Sequence, residues 1–361
     1  VVTLSDTVIL LWTPPAIEPP PPTPDLPELV VRGHCFEQAN GTRWTAIQCS
    51  DFNVLNRWQH GEDVTPILAQ RRDCGFTLLR VWTAYDIYGI GQFLDLDYAR
   101  LPAFIDVCEA HGLYVELCAY TGVNDPLHWE HLCAAALACR PRPILELVNE
   151  LSENTDEPDA HGRVFNLWEY ARPHGLLVSR GSNGSEKPPV GSDWVPVGTD
   201  QWDYFSMQEP LPAFWDYVTM HYNDAYEWIR KTGHNSMARE EFNVDIPCIA
   251  NENTRFCDKA HASGLMNPAT PIAIWAHDAA AGAALLCAGS CFHSVAGKTS
   301  ELWHGEELDA ACAWAAGART VDLHYQDGVY RHPIELETPD LLRVYQRALP
   351  DGRYAQVNIR R

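Results

Sequence analysis

A repeating alternation of apolar strand-length runs and helix-forming stretches constrains this chain more than any single motif. The runs are Trp44–Cys49, Thr77–Trp82, Leu113–Ala119, Ile144–Val148, Leu176–Ser179, Tyr217–His221, Cys248–Asn251 and Ala283–Ala288. Between them lie helix-period segments such as Val64–Asp73 and Leu101–His111, the latter stopped by Gly112. From start to start the spacing is roughly 30 to 40 residues, near what about 250 residues over eight βα units implies. Eight such units predict a closed parallel (β/α)8 TIM barrel. A doubly wound sheet would need a Gly-rich phosphate turn after its first strand, and none follows here.

The flanks break the alternation and predict a three-part chain. Residues 1–28 form an N-terminal Pro-rich segment, with Pro14–Pro27 stiff and extended. It serves either as a spacer from an upstream module or as a strap over the domain. Residues 29–317 form the barrel, entered through an N-terminal β-hairpin built from Leu29–Phe36, a turn at Asn40-Gly41 and Arg43–Cys49. Residues 318–361 form a small C-terminal β extension packed on the barrel, with turns at Asp327-Gly328 and Asp351-Gly352. Because the chain opens on Val1, a processed or trimmed piece of something longer is expected, and a removed signal peptide or upstream module stays open.

Composition narrows the partners. Of 361 residues 46% are hydrophobic and 20% charged, a globular balance able to bury a large core. A net charge of −22, from 48 acidic against 26 basic side chains, argues against nucleic acid as partner, which needs clustered cations. It suits a neutral glycan. No run is apolar enough to enter a bilayer, so no membrane insertion is expected. An extracellular or particle-associated location is favoured over a cytoplasmic one, and the oligomeric state is not legible. The 12 cysteines contain no CxxC, and Cys287, Cys291 and His293 are not completed into a zinc set, so neither a metal nor an organic cofactor is expected. Most cysteines read as buried thiols, with one or two bridges open among Cys133, Cys139, Cys248 and Cys257. Of 13 tryptophans, Trp58, Trp129, Trp194, Trp202 and Trp303 sit beside turn residues, where a minority are expected to stack on ligand.

Two runs end on a carboxylate: Pro143–Glu150, closing on Asn149-Glu150, and Pro247–Glu252, closing on Asn251-Glu252. Ending a buried strand on glutamate has no folding benefit, because desolvating an ionised carboxylate is costly. In a parallel barrel the C-terminal strand ends form the active face, so both glutamates would reach one rim. One carboxyl protonating a leaving oxygen while the other attacks a sugar carbon is the arrangement of a retaining glycosidase. Glu153, three residues further into a polar loop, ranks below Glu150.

Other strand ends are polar in the same way: Ser50-Asp51-Phe52-Asn53, Arg80 with Trp82-Thr83-Ala84-Tyr85-Asp86, Tyr120-Thr121-Gly122 and His221-Tyr222-Asn223-Asp224. With the two glutamates, this set resembles the clan A glycoside hydrolases, the family 5 cellulase-like group in particular. The carriers are Arg80 inside strand two, Asn149-Glu150 after strand four, His221-Tyr222 after strand six and Glu252 ending strand seven, across about residues 30–316. The resemblance implies Glu150 as general acid/base and Glu252 as nucleophile, on a β-linked glycosidic bond of an oligo- or polysaccharide. It implies Arg80 and Tyr222 bonded to Glu252, Asn149 on the sugar 2-hydroxyl and His221 lining the floor. Arg80 has other candidate partners in Glu116 and Glu146, both inside apolar strands, and a lone His221 has the alternative of a core position. Two departures stand out. Strand eight, read as Leu285–His293, carries no platform tryptophan, so Phe292 or Trp303 is the substitute, with Trp82 the other candidate sugar contact. His221 and Tyr222 are adjacent, where a His-x-Tyr spacing is commoner. The alternative function is a catalytically inactive carbohydrate-binding or structural barrel in a larger assembly.

Overall fold

The computed structural model describes residues 25–33, 35–87, 91–93, 96–120, 126–149, 175–179, 181, 216–222, 247–253, 271–294, 297, 299–320, 329–334, 341–348 and 354–360. The strands that build the barrel are β4 (Ala46–Ser50), β5 (Leu78–Trp82), β8 (Tyr114–Tyr120), β9 (Ile144–Val148), β10 (Val178–Ser179), β11 (Val218–Tyr222), β12 (Cys248–Asn253) and β13 (Gly289–Phe292). They form one eight-stranded sheet in the order β10-β9-β8-β5-β4-β13-β12-β11. Every neighbouring pair is parallel, and the last strand pairs with the first, β13 with β4. The remaining seam, between β10 and β11, is bridged where Asp216 N–H donates to the Val178 carbonyl at 3.0 Å. Val178 N–H returns a bond to the Asp216 carboxylate at 3.0 Å, and the Ser179 and Thr219 hydroxyls meet at 3.2 Å. The fold is a (β/α)8 barrel.

Period-two alternation divides each strand between two apolar bodies. Leu79, Val81, Val115, Leu117, Leu145 and Leu147 face the layer between sheet and helices. Leu78, Tyr114, Ile144, Tyr217 and Ile249, near the strand starts, join Phe36 and Trp44 in a plug that fills one end of the barrel. That plug is the reason for the N-terminal hairpins, β1 (Leu29–Arg32), β2 (Cys35–Gln38) and β3 (Arg43–Trp44), which are antiparallel. Phe36 meets Tyr217 at 5.6 Å and Trp44 meets Tyr114 at 5.1 Å, both edge-on. The stretch Leu29–Phe36, expected as one strand, is two, because Gly33 takes a left-handed φ of 57° and folds Arg32 back onto Cys35.

Helices α1 (Val54–Gln59), α2 (Thr65–Cys74), α3 (Leu101–Glu109), α4 (Pro126–Ala138), α5 (Ile272–Leu286) and α6 (Gly305–Arg319) are described. α5 corrects the expected eighth strand: Ala283–Leu286 ends this helix, and strand eight is Gly289–Phe292. A run of Ala and Leu fits a buried helix as well as a strand, and here the high helix propensity of alanine prevails. Alanines 276, 279, 280 and 283 of α5 and 310, 311, 315 and 318 of α6 are buried, and such small side chains let the two helices approach closely. Beyond them β14 (Val329–Ile334), β15 (Leu341–Ala348) and β16 (Tyr354–Arg360) form an antiparallel sheet, with β16 against α5. A disulfide, Cys74–Cys312, joins α2 to α6. Cys133 and Cys139 are buried free thiols, a correction to the pairing considered above, while Cys257 lies outside the described residues. No described helix is long and apolar enough to cross a membrane.

Barrel closure depends on one close approach. A Cβ on Gly289 would sit 2.4 Å from the Ala46 Cβ and 2.8 Å from its carbonyl oxygen, so no larger residue fits between the first and last strands. Gly289→Ala is expected to lower unfolding free energy by about 1–3 kcal/mol through overpacking, measured by denaturant titration. A loss under about 0.5 kcal/mol would mean that the seam can spread.

Candidate active site

Above the apolar plug, the inward positions of the strands turn polar. Gln48 on β4, Arg80 on β5, Glu116 on β8, Glu146 on β9 and Thr219 on β11 are all buried. Register explains the meeting: Arg80 is level with Glu116 across β5/β8, and Glu146 with Ser179 across β9/β10. Arg80 Nε donates to Glu146 Oε2 at 2.8 Å and Nη2 to the same oxygen at 2.5 Å. Nη2 also donates to Asn149 Oδ1 at 2.7 Å, at the upper end of β9. Glu146 Oε1 accepts from the Thr219 hydroxyl at 2.9 Å. Glu116 lies farther from the guanidinium, 3.8 Å from Nε, and accepts from Gln48 Nε2. The Tyr217 hydroxyl is 2.7 Å from Glu116 Oε1. Burial, and then the nearby charge of Glu146, push the Glu116 carboxyl up to about 7.

Arg80 therefore has the interior partner that the sequence left open, Glu146, together with Asn149. With its Oδ1 engaged by Arg80, the Asn149 amide has its two donors on Nδ2. At the strand-seven end, β12 carries Glu252 as its penultimate residue, in register with His221 of β11. Both ladders of β12 shift register at this point, between Met220 and His221 on one side and Ala250 and Asn253 on the other. Such irregularities re-aim side chains at barrel rims. Only the backbone course is described for His221, Tyr222 and Glu252, and Glu150 and Glu153 lie outside the described residues.

The aromatic expectations change. Trp303 is fully buried outside the barrel, edge-on to Phe76 and Phe292, each at 5.4 Å, with the Arg71 guanidinium 3.5 Å from its ring centre. Its indole N–H donates to Ser294 Oγ at 3.0 Å. With ring and N–H both occupied, Trp303 is a core residue and no sugar platform, and Phe292 is buried in the same cluster. Trp82 is also fully buried, stacked on Phe52 at 3.5 Å, with Arg80 Cζ at 4.3 Å, so it packs against the polar layer and offers no exposed face to a sugar. Trp129 is buried in α4, Trp58 packs on Phe104, and Trp194 and Trp202 lie outside the described residues.

Sequence reasoning did not single out Gln48, Tyr217 and Thr219, although strand alternation puts each on the inward face with Arg80. A second polar chain runs beside the mouth: Tyr98 Oη donates to His128 Nδ1 at 2.6 Å, and His128 Nε2 donates to the Ala119 carbonyl at 3.0 Å. The Thr83 hydroxyl lies 2.9 Å from the same Nε2. These bonds fix one tautomer and anchor the segment after β5 to α4. Among the described residues, no three or more His, Cys, Asp or Glu converge as a metal site.

No family model matches the sequence, and no curated protein matches it. Solved structures do. A glycoside hydrolase superposes with a TM-score of 0.62 at 11% identity, over 89% of this chain and 81% of its own. A family 5 glycoside hydrolase from Bacteroides vulgatus gives 0.56 at 12%, over 89% and 78%. The β-mannanase of the blue mussel Mytilus edulis gives 0.50 at 13%, over 81% and 97%. The fold is the (β/α)8 barrel of these glycoside hydrolases. At these identities the likeness establishes the fold, and chemistry has to be argued from the residues.

Trp303→Ala is expected to cost about 3–5 kcal/mol of stability, the range for emptying an aromatic core site, read as a fall in Tm. A folded variant of unchanged Tm would return Trp303 to the list of ligand contacts.

Proposed function

We propose that the chain is a retaining glycoside hydrolase, with Glu252 as nucleophile and Glu150 as general acid/base, acting on a β-linked oligo- or polysaccharide. The observation that carries the reading is the pairing of a family 5 barrel with polar residues at the ends of strands four and seven. Asn149 is clamped at the end of β9 by Arg80, and Glu252 is the penultimate residue of β12, where its ladders shift. In this reading Glu150, directly after Asn149, protonates the leaving oxygen while Glu252 attacks the anomeric carbon. Glu150 then takes a proton from the water that hydrolyses the glycosyl-enzyme. A retaining pair calls for carboxyl groups about 5–5.5 Å apart. Asn149 Nδ2 donates to the sugar 2-hydroxyl, whose hydrogen bonds strengthen as positive charge develops on the ring. Tyr222 and His221, in the adjacent strand, line the floor beside Glu252.

The two carboxylates are separable by experiment. A panel of aryl β-glycosides and polysaccharides, β-mannan included, identifies a substrate by released sugar. Glu252→Ala is expected to abolish turnover, with azide restoring a product of inverted configuration. Glu150→Ala is expected to retain glycosylation from an acidic phenol leaving group yet hydrolyse the intermediate slowly. Azide then accelerates turnover and gives a product of retained configuration. Near wild-type rates from both variants on a confirmed substrate would overturn the assignment, with Glu153, Glu116 and Asp224 next to be replaced. Sugar binding without turnover by the wild type would leave the carbohydrate-binding barrel.

A further inference from the structure

Among the described residues, the interior polar layer holds two acidic side chains, Glu116 and Glu146, against one cation, Arg80. Among the described residues facing Glu116, β5 contributes Arg80, β9 contributes Glu146, β4 contributes neutral Gln48, and β11 with its preceding residue contributes neutral Thr219 and Tyr217. Two carboxyls therefore share one guanidinium, all three fully buried, where an uncompensated charge is expensive. The guanidinium is not shared equally. Glu146 receives Nε and Nη2 and a threonine hydroxyl, the full set for an anion. Glu116 receives a 3.8 Å approach and two neutral partners.

Hydrogen counting reaches the same residue independently. The Tyr217 hydroxyl lies 2.7 Å from Glu116 Oε1 and 2.9 Å from the Leu145 carbonyl oxygen. A carbonyl only accepts, and a phenol has one hydrogen. Each contact is a full two-centre hydrogen bond when the phenol donates to Leu145 and accepts from a hydrogen on Glu116 Oε1; with Glu116 ionised, the one phenol hydrogen has to be divided between two acceptors.

We propose that Glu116 is a neutral carboxylic acid in the folded protein, donating to Tyr217, and that this neutrality makes it a positioning residue for Arg80. With Glu116 uncharged, the guanidinium belongs to Glu146 and Asn149, and the amide of Asn149 is held in one orientation. Ionised, Glu116 competes for Nε and draws the guanidinium away from Asn149. The positioning half rests on Asn149 being a substrate group of a glycosidase; the protonation half does not.

Three readouts on the full chain keep the halves apart. Infrared spectra of protein carrying carbon-13-labelled glutamate should show a protonated carboxyl band at neutral pH that is missing in Glu116→Gln and fades in the wild type above about pH 7. Stability supplies the second readout. The unfolded chain releases this proton near 4.5 and the folded one near 7, so between them folding retains a proton and stability falls as pH rises. The Tm of the wild type relative to Glu116→Gln should decline across that window and level off above it. A missing band, or parallel Tm curves from pH 4 to pH 8, overturns the proposal, and the wild-type infrared series decides alone if the variant does not fold. Third, on a confirmed substrate kcat/KM of the wild type should fall on a one-proton slope above about pH 7. Glu116→Gln should shift that limb upward, and Glu146→Gln should lower the rate at every pH. A retained band with an unshifted limb would remove the positioning role and leave the proton in place.

Discussion

Arg80 is the group around which the interior of this barrel is arranged. It sits above an apolar plug and below the strand ends, fully buried, with Glu146 on its Nε and Nη2 and Asn149 on the same Nη2. A guanidinium at that depth needs a carboxylate, and the carboxylate comes from the next strand but one, at the matching inward position. The rigid planar fork sets Nε and Nη2 together on Glu146 and directs the second hydrogen of Nη2 at Asn149, an orientation that the point charge of lysine does not fix. Replacing the pair by hydrophobic residues of similar volume is often neutral or stabilising in other proteins, so folding alone is a weak reason to keep it. Its position beneath Asn149 is a better one.

Much of the architecture is readable because burial writes a period. Ile144–Val148 has the same bounds in sequence and structure, since a short apolar run between a proline and a polar Asn-Glu has one reading. Strand eight fails for the opposite reason: Ala and Leu fit helix and strand alike, and the helix won because α6 offers it an alanine-rich partner. The candidate site is legible in part. Alternation tells which face Glu116, Glu146 and Arg80 share, but it does not tell which carboxylate takes the cation, because that depends on register between strands far apart in sequence. Trp303 shows the limit most clearly. Its neighbours Leu302 and His304 and the polar stretch around them suggest an exposed loop, yet Arg71, more than two hundred residues earlier, covers its ring.

Arg71 repeats the device of Arg80 on the outside of the sheet, and the comparison explains why one is static and the other responsive. Arg71 meets Asp51 side-on, Nε to Oδ2 and Nη2 to Oδ1, both at 2.9 Å, and Nη2 also donates to the Glu301 carbonyl at 2.7 Å. Gln70 beside it bonds Trp303 through both ends of its amide, at 2.9 Å each. Phe52 N–H donates to the Gly297 carbonyl and Asn53 N–H to Ser300 Oγ, so the loop after strand eight is fastened to the loop after strand one. Here the guanidinium meets a single carboxylate side-on, although burial still raises the Asp51 carboxyl above its usual range; removing either partner of such a pair costs about 3–5 kcal/mol. Inside the barrel, among the described residues, one cation faces two carboxyls, and the proposed proton on Glu116 is what balances them. The same residue type beside an aromatic ring thus fastens the rim where it meets one carboxylate, and in the interior lies between two, Glu146 at 2.8 Å and Glu116 at 3.8 Å from Nε.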